Sequence, residues 1–270
     1  MREPIDLDAY LARIGWRGAR AADLDALRGI VASHAAAIPF ENLDPFMGVP
    51  IALDAASLER KLVHGGRGGY CFEHNLLLGH ALAALGFEVS GLAARVLWNR
   101  DADAITARGH MLLRVELDGA THLVDVGFGG LTLTGVLRLE PEIVQPTPHE
   151  PFRLVRLADG DWRMEASVRG VWQTLYRFDL QRQHRVDYEV TSYFLSANPA
   201  SHFVTGLIAA RAAPGLRFAL RGRDFAVHTT GGETARRTLS TSEIMEVLER
   251  DFLVRLPDRE ALERRLASLP

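Results

Sequence analysis

Cysteine is almost missing from this chain: Cys71 is the only one in 270 residues. A lone thiol excludes an internal disulfide framework and leaves Cys71 three roles: reactive group, metal ligand or packing. Long apolar runs are missing too. No stretch reaches the roughly 18 uninterrupted apolar residues of a membrane span. The opening "MREPIDLDAYLARIGWRG" has no continuous apolar stretch and no small-residue cleavage site, so it does not read as a signal peptide. Nor is there an excess of either charge. A formal net charge of −3 and a pI near 6.4 provide no basic footprint for nucleic acid or an anionic membrane. Internal repeats and low-complexity tracts are absent. These absences point to the reducing cytoplasm, with neither nucleic acid nor membrane as partner.

What is present is enough apolar material, 47% of the residues, to bury a sizeable core. The chain changes character twice. Over residues 1–87 the pattern is helical. Leu7, Tyr10, Leu11 and Ile14 recur near a 3.6-residue period, as do Leu24, Leu27, Ile30 and Val31 behind a candidate N-cap, Asp23. "IPFENLDPFMGVPI" reads as loop, and "DAASLERKLVHGG" as a short helix ended by Gly65 and Gly66. "CFEHNLLLGHALAALG" is apolar on most faces and belongs at the centre of a bundle. Over 88–190 short alternating runs follow, with "DG" turns at Asp118–Gly119 and Asp159–Gly160, the pattern of antiparallel hairpins. "TPHEPF" reads as a surface connector. Over 191–270 the pattern is mixed: a three-strand meander, a helix opened by Ser240 with Glu243 at the capping-box position, and a last charged helix.

Chemistry concentrates around "HGGRGGYCFEHN", His64–Asn75, where four glycines deliver Cys71 to the start of a helix. The thiolate is the nucleophile, and a helix N-terminus and a nearby cation such as Arg67 favour it in general. A thiol nucleophile wants a histidine base oriented by a third group. Of ten histidines, His110 has the best placement. With a two-residue turn at Asp118–Gly119, Leu117 opposes Ala120 and His110 faces Gly127. Asp125 then lies on the face of His110 as a diagonal neighbour, roughly 7–8 Å away between backbones. His74 lacks an orienting carboxylate, and one metal cannot meet Cys71, His74 and His80 together, so no metal site is expected. His122 falls on the opposite alternation and is expected to face solvent. His34, His64, His149, His184, His202 and His228 read as structural or surface. The glycine loop lacks the Gly-Lys-Ser/Thr ending of a phosphate-binding loop.

These residues resemble the arylamine N-acetyltransferase family. The likeness rests on "IPFENLD", "RGGYCFEHN", "GHMLL" and "LVDVGFGG", on the order and spacing of Cys71, His110 and Asp125, and on the later "SANPASHF". The resemblance implies an α+β multidomain fold: an N-terminal helical bundle, a central antiparallel β-barrel and a C-terminal α/β lid around a cysteine-protease/transglutaminase-like core. It implies Cys71 as acyl-accepting nucleophile, His110 as base and Asp125 as orienting carboxylate. Acetyl-CoA is the implied donor substrate, with no permanently bound cofactor. The implied acceptor is a small arylamine, arylhydrazine or N-hydroxyarylamine, acetylated by a ping-pong route as in xenobiotic metabolism. Phe40, Phe128 and Phe203 match positions lining the acceptor pocket; Gly129, Gly130 and Phe203 match the CoA cleft. Gly109 departs from the pattern, since many members carry threonine before the histidine. Alternatives within reach of the same site are an amide synthase acting on a carrier-bound acyl chain and a thiol hydrolase; a non-catalytic binding module is the third. The oligomeric state is open, a homo-oligomer included.

Overall fold

The computed structural model describes residues 3–269. Two antiparallel sheets and a helical layer enclose three apolar cores. The helical layer comprises α1 (Leu7–Ile14), α2 (Leu24–Ala37), α4 (Ala55–Leu58, continued by a π-helical turn Glu59–His64) and α5 (Cys71–Ala84). Asp6, Asp23 and Asp54 cap the first three by accepting a backbone N–H three residues on. α5 is buried almost from end to end, Cys71 through Leu82, as its uniformly apolar sequence requires.

The central sheet has the order β5-β4-β3-β2-β8-β7-β6: β2 (Glu88–Val96), β3 (His110–Leu117), β4 (Ala120–Val124), β5 (Leu137–Arg138), β6 (Phe152–Arg156), β7 (Trp162–Val168) and β8 (Val171–Phe178). Bridges from Pro141 to Leu154 and from Gln145 to Phe152 bring its two edges together, so the sheet is a nearly closed barrel. One face fills the barrel with Leu92, Leu112, Leu123, Met164, Leu175 and Tyr176. The other lays Met111, Leu113, Val115 and Val124 on the helical core with Leu76 and Leu77. The C-terminal lid has the order β1-β9-β10-β11-β12, from β1 (Phe40–Glu41), β9 (Ile208–Ala213), β10 (Leu216–Arg221), β11 (Asp224–Thr229) and β12 (Thr234–Thr238), with α8 (Thr241–Arg250) and α9 (Arg259–Ala267). Ser240 and Glu243 form the expected capping box of α8.

Four readings need correction. "IPFENLD" is not loop: Phe40–Glu41 is β1, the edge of the lid sheet, and Leu43–Met47 is a short helix, α3, whose Leu43 and Phe46 enter the lid core. The meander has a further strand, β9, within "GLIAAR". Residues 185–190, placed with the hairpins by the 88–190 boundary, instead start a helix, α6 (Arg185–Ala197), which is followed by the short α7 (His202–Thr205). His122 is buried at 7% exposure, because the hairpin face expected to meet water is covered by helices. Its Nδ1 has no hydrogen-bond partner among the described residues.

Candidate active site

The loop before Cys71 is built on close backbone approach. A Cβ on Gly68 would lie 1.9 Å from the Pro39 carbonyl oxygen, so only glycine fits. Gly69 N–H donates to Pro39 O (3.4 Å) and Glu41 N–H to Gly69 O (2.8 Å), which stitches β1 to the loop. Tyr70 N–H donates to Glu73 Oε2 (3.0 Å), and α5 begins at Cys71.

The hairpin delivers His110 and Asp125. Leu117 opposes Ala120 and Leu113 opposes Val124, the register expected of a two-residue turn. Asp118 and Gly119 take φ of 50° and 73°, as a type I′ turn needs. His110 opens β3 and Asp125 follows β4; His110 Nε2 lies 2.6 Å from Asp125 Oδ2. Nδ1 is left free of Asp125, and Cys71 lies close enough to the ring to help raise its pKa. The thiol lies 3.7 Å from the Gly109 carbonyl oxygen. Three side chains from a helix and a hairpin therefore meet in one buried place. Burial pulls the His110 pKa down, but the Asp125 charge and hydrogen bond, with Cys71 nearby, outweigh it and push it up to about 10. Burial would raise the Asp125 pKa. The His110 charge and hydrogen bonds from His110, Gly127 N–H and Asn75 instead hold it below its ordinary value.

Docking of the hairpin on α5 leaves no space at Gly127: a Cβ there would sit 2.7 Å from Cys71 Cα. Asn75, one turn after Cys71, clamps this contact. Its Nδ2 donates to Asp125 Oδ1 (3.1 Å) and Met111 O (2.8 Å), and its Oδ1 accepts from Val126 N–H (3.2 Å). The aromatic positions converge. The Phe40 and Phe203 rings lie 6.1 Å apart, and Phe128 meets His110 edge-on at 5.2 Å. Gly129, with φ of 83°, passes the Phe40 ring closely enough that a Cβ would be 3.7 Å from it, whereas Gly130 is exposed. Cavities of about 180 Å³ beside His80 and Tyr188, and about 530 Å³ between α6 and residues 45–54, lie elsewhere; none of the three polar residues lines them.

An N-acetyltransferase family matches residues 23–261. The arylamine N-acetyltransferase of Mycolicibacterium smegmatis is 48% identical over 258 residues, 94% of each chain. The chain belongs to the arylamine N-acetyltransferase family. Its fold agrees with that of the Mycobacterium marinum arylamine N-acetyltransferase at a TM-score of 0.94, with 46% identity over 98% of this chain and 99% of that one. The same enzyme solved in complex with CoA gives a TM-score of 0.93 at 45% identity, with 98% and 99% of the chains covered.

Two polar clusters buried in the interior support the α5 start. One is ionic. Arg67 donates to Glu41 (2.8 Å) and Asp44 (2.7 Å); Lys61 donates to Asp44 (2.6 Å) and Glu73 (2.7 Å). Burial alone would lower the Lys61 pKa, but Glu73, Glu41 and Asp44 reverse it and hold it above its ordinary value. Glu41, Asp44, Arg67 and Glu73 all lie within "IPFENLD" and "RGGYCFEHN", whereas Lys61 lies outside both. The other cluster is neutral. His74 Nε2–H donates to the Pro39 carbonyl (3.0 Å), so its Nδ1 accepts from His34 Nε2–H (3.0 Å), and His34 Nδ1 accepts from the Tyr10 hydroxyl (2.9 Å). Burial lowers both histidine pKa values, that of His74 to about 4. Asn75 was legible in principle, since position i+4 shares the helix face of Cys71. Tyr176, whose ring lies 5.0 Å from His110, comes from a distant strand with no motif to announce it.

Proposed function

We infer that this protein transfers an acetyl group from acetyl-CoA to the nitrogen of an arylamine, arylhydrazine or N-hydroxyarylamine through an acetyl-Cys71 intermediate. The observation that carries the reading is the buried Cys71–His110–Asp125 constellation, in which Asp125 holds the imidazole pKa well above its ordinary value. An imidazolium stabilises a sulfur anion across a hydrogen bond. The anion attacks the thioester carbonyl carbon. N–H groups of Cys71 and Phe72, in the first turn of α5 and without intrahelical acceptors, are suited to hold the oxyanion. As the bond to the CoA sulfur breaks, His110 gives its proton to that sulfur. The amine nitrogen then attacks acetyl-Cys71 and returns a proton to His110 as the Cys71 sulfur leaves, restoring the starting ion pair. Thioester and thiol exchange at little free-energy cost, so the intermediate can accumulate.

Phe40, Phe128 and Phe203 suit a neutral aromatic amine, which needs an apolar slot. Gly129, Gly130 and Phe203 are assigned to CoA by their match to the family's CoA cleft. Three units are inferred: 1–87 carrying the nucleophile, 88–190 carrying His110 and Asp125, and 191–270 as lid; the barrel core lies wholly within 88–190, whereas the helical and lid cores draw side chains from across the boundaries. The test is intact-protein mass after incubation with acetyl-CoA and no acceptor. A gain of one acetyl group, absent in Cys71→Ala and discharged by an added arylamine, is expected. No gain in the wild type, or the same gain in Cys71→Ala, overturns the reading.

A further inference from the structure

Arg217 on β10 is buried at 4% exposure, far from the triad in sequence. Its guanidinium forks onto Glu150: Nε lies 2.9 Å and one terminal nitrogen 2.6 Å from Oε2. The remaining donors reach Thr132 O (3.0 Å) and Gly130 O (3.4 Å). Those carbonyls belong to the segment that follows Asp125, and that segment is closed on itself. Phe128 N–H donates to the Thr132 hydroxyl (3.2 Å), which donates to Asp125 O (3.2 Å). Thr132 N–H donates to Gly129 O (3.0 Å) and Leu133 N–H to Asp125 O (3.1 Å). A ring of bonds thus fixes Phe128, Gly129 and the Asp125 backbone relative to one another, and Arg217 ties that ring to the lid sheet.

A second strut runs alongside. His149 Nε2–H donates to Ala213 O (2.9 Å) and Leu216 O (3.2 Å), while its Nδ1 accepts from the Thr134 hydroxyl (3.0 Å). "TPHEPF" is therefore a half-buried clasp between barrel and lid, not the surface connector that its prolines suggest. Stability is a poor reason to bury this ion pair, because well-packed apolar residues do as well or better. Geometry is a better one: lysine could neutralise Glu150 but could not hold a carboxylate and two carbonyls at fixed angles.

We propose that Arg217 is a positioning residue that, through Thr132 and Gly130, holds the 128–130 wall of the substrate cleft against the lid. The inference rests on the acetyl-transfer reading for its kinetic consequence and not for its structural one. The wall is fixed in the free protein, so loosening it weakens binding of both substrates more than it slows chemistry at Cys71.

The experiment compares Arg217→Lys and the double variant Arg217→Met/Glu150→Leu with wild type. The double variant removes both buried charges together, which avoids a lone carboxylate. Three readouts are taken: hydrogen exchange of amides 128–133, KM and kcat for acetyl-CoA and an arylamine, and the pH profile of Cys71 alkylation. Faster exchange confined to 128–133 and a KM for acetyl-CoA raised about tenfold are expected, with kcat within about twofold and an unchanged alkylation profile. Wild-type exchange and KM in the double variant overturn the proposal, as does full rescue by Arg217→Lys. A uniform rise in exchange across the chain also overturns it, by making the pair merely structural. If the wild type transfers no acetyl group, the functional reading has failed, and exchange with alkylation still decides the anchoring role.

Discussion

Of the two polar clusters buried around the start of α5, one keeps its charges and the other has none. Glu41, Asp44, Lys61, Arg67 and Glu73 form an ionic web in which each carboxylate accepts from a cation or a backbone N–H. Tyr10, His34 and His74 form a one-directional chain of neutral groups ending on the Pro39 carbonyl. Both brace the same backbone, residues 39–41 and 67–73, where Phe40 and Cys71 are set. The ionic web can use five charges because cations and carboxylates face each other at hydrogen-bond distance. The histidine chain has no carboxylate in contact, and Arg13 lies near enough to lower the His34 pKa further. The clusters should therefore fail in different ways, one by losing a partner and the other by gaining a proton.

The largest effect should come from breaking the web. Arg67→Ala strips Glu41 and Asp44 of a buried cation, at a cost of about 3–5 kcal/mol and a fall of about 10 °C in melting temperature. Calorimetry checks this, and an unchanged transition would show that the web is not structural.

Acid is the complementary attack. The His74 pKa is depressed in the fold to about 4, whereas in the unfolded chain it is near 6.5. Its contribution is thus intact above about pH 6.5 and lost as pH falls toward 4, by roughly 3 kcal/mol in total. Asp44, held below its ordinary value, stays charged through that window, whereas burial raises the pKa of Glu73. Urea midpoints between pH 7.5 and 4 should fall steeply in wild type and less in His74→Gln; parallel curves would refute the assignment. His110 has the opposite sign. Pushed up to about 10 by Asp125, it contributes stability that is full below pH 6.5 and lost as pH rises toward 10.

A smaller change sharpens the chain alone. Tyr10→Phe removes the hydroxyl that His34 Nδ1 accepts and should cost about 1–2 kcal/mol, with no dependence on salt. The smallest is Gly109→Thr, outside both clusters. A Cβ there meets nothing closer than 3.9 Å, so stability should move by no more than about 0.5 kcal/mol. Any effect should then appear in KM for acetyl-CoA. A large loss of melting temperature would mean that glycine is required at this position for its backbone.

The hairpin was legible because its logic is local: a two-residue turn sets the register, and register sets which residues share a face. The solvent exposure of His122 was not, because alternation says which residues share a face but not what covers it. The same limit hid β1. Two residues of "IPFENLD" pair with β9 far along the chain, and no periodicity exists over two residues. Asn42 shows why that segment is ordered. Its side chain donates to Phe203 O and Gly206 O, each at 2.7 Å, and accepts from Ile208 N–H at 2.6 Å.

From the sequence alone came the helix–strand–mixed order, the lone thiol behind glycines at a helix start, and the pairing of His110 with Asp125. Each is written in neighbours a few residues apart, or in a turn whose geometry is fixed by two of them. Tertiary structure decided what lies across the gaps: Asn75 and Gly127 docking the hairpin onto α5, Tyr176 over His110, Arg217 gripping the 128–132 segment, and the choice between charged and neutral burial at Arg67 and His74. Those depend on long-range contacts and on the water they exclude. Whether a buried side chain is stable as an ion or as a neutral group is set by its partners, wherever in the chain they originate.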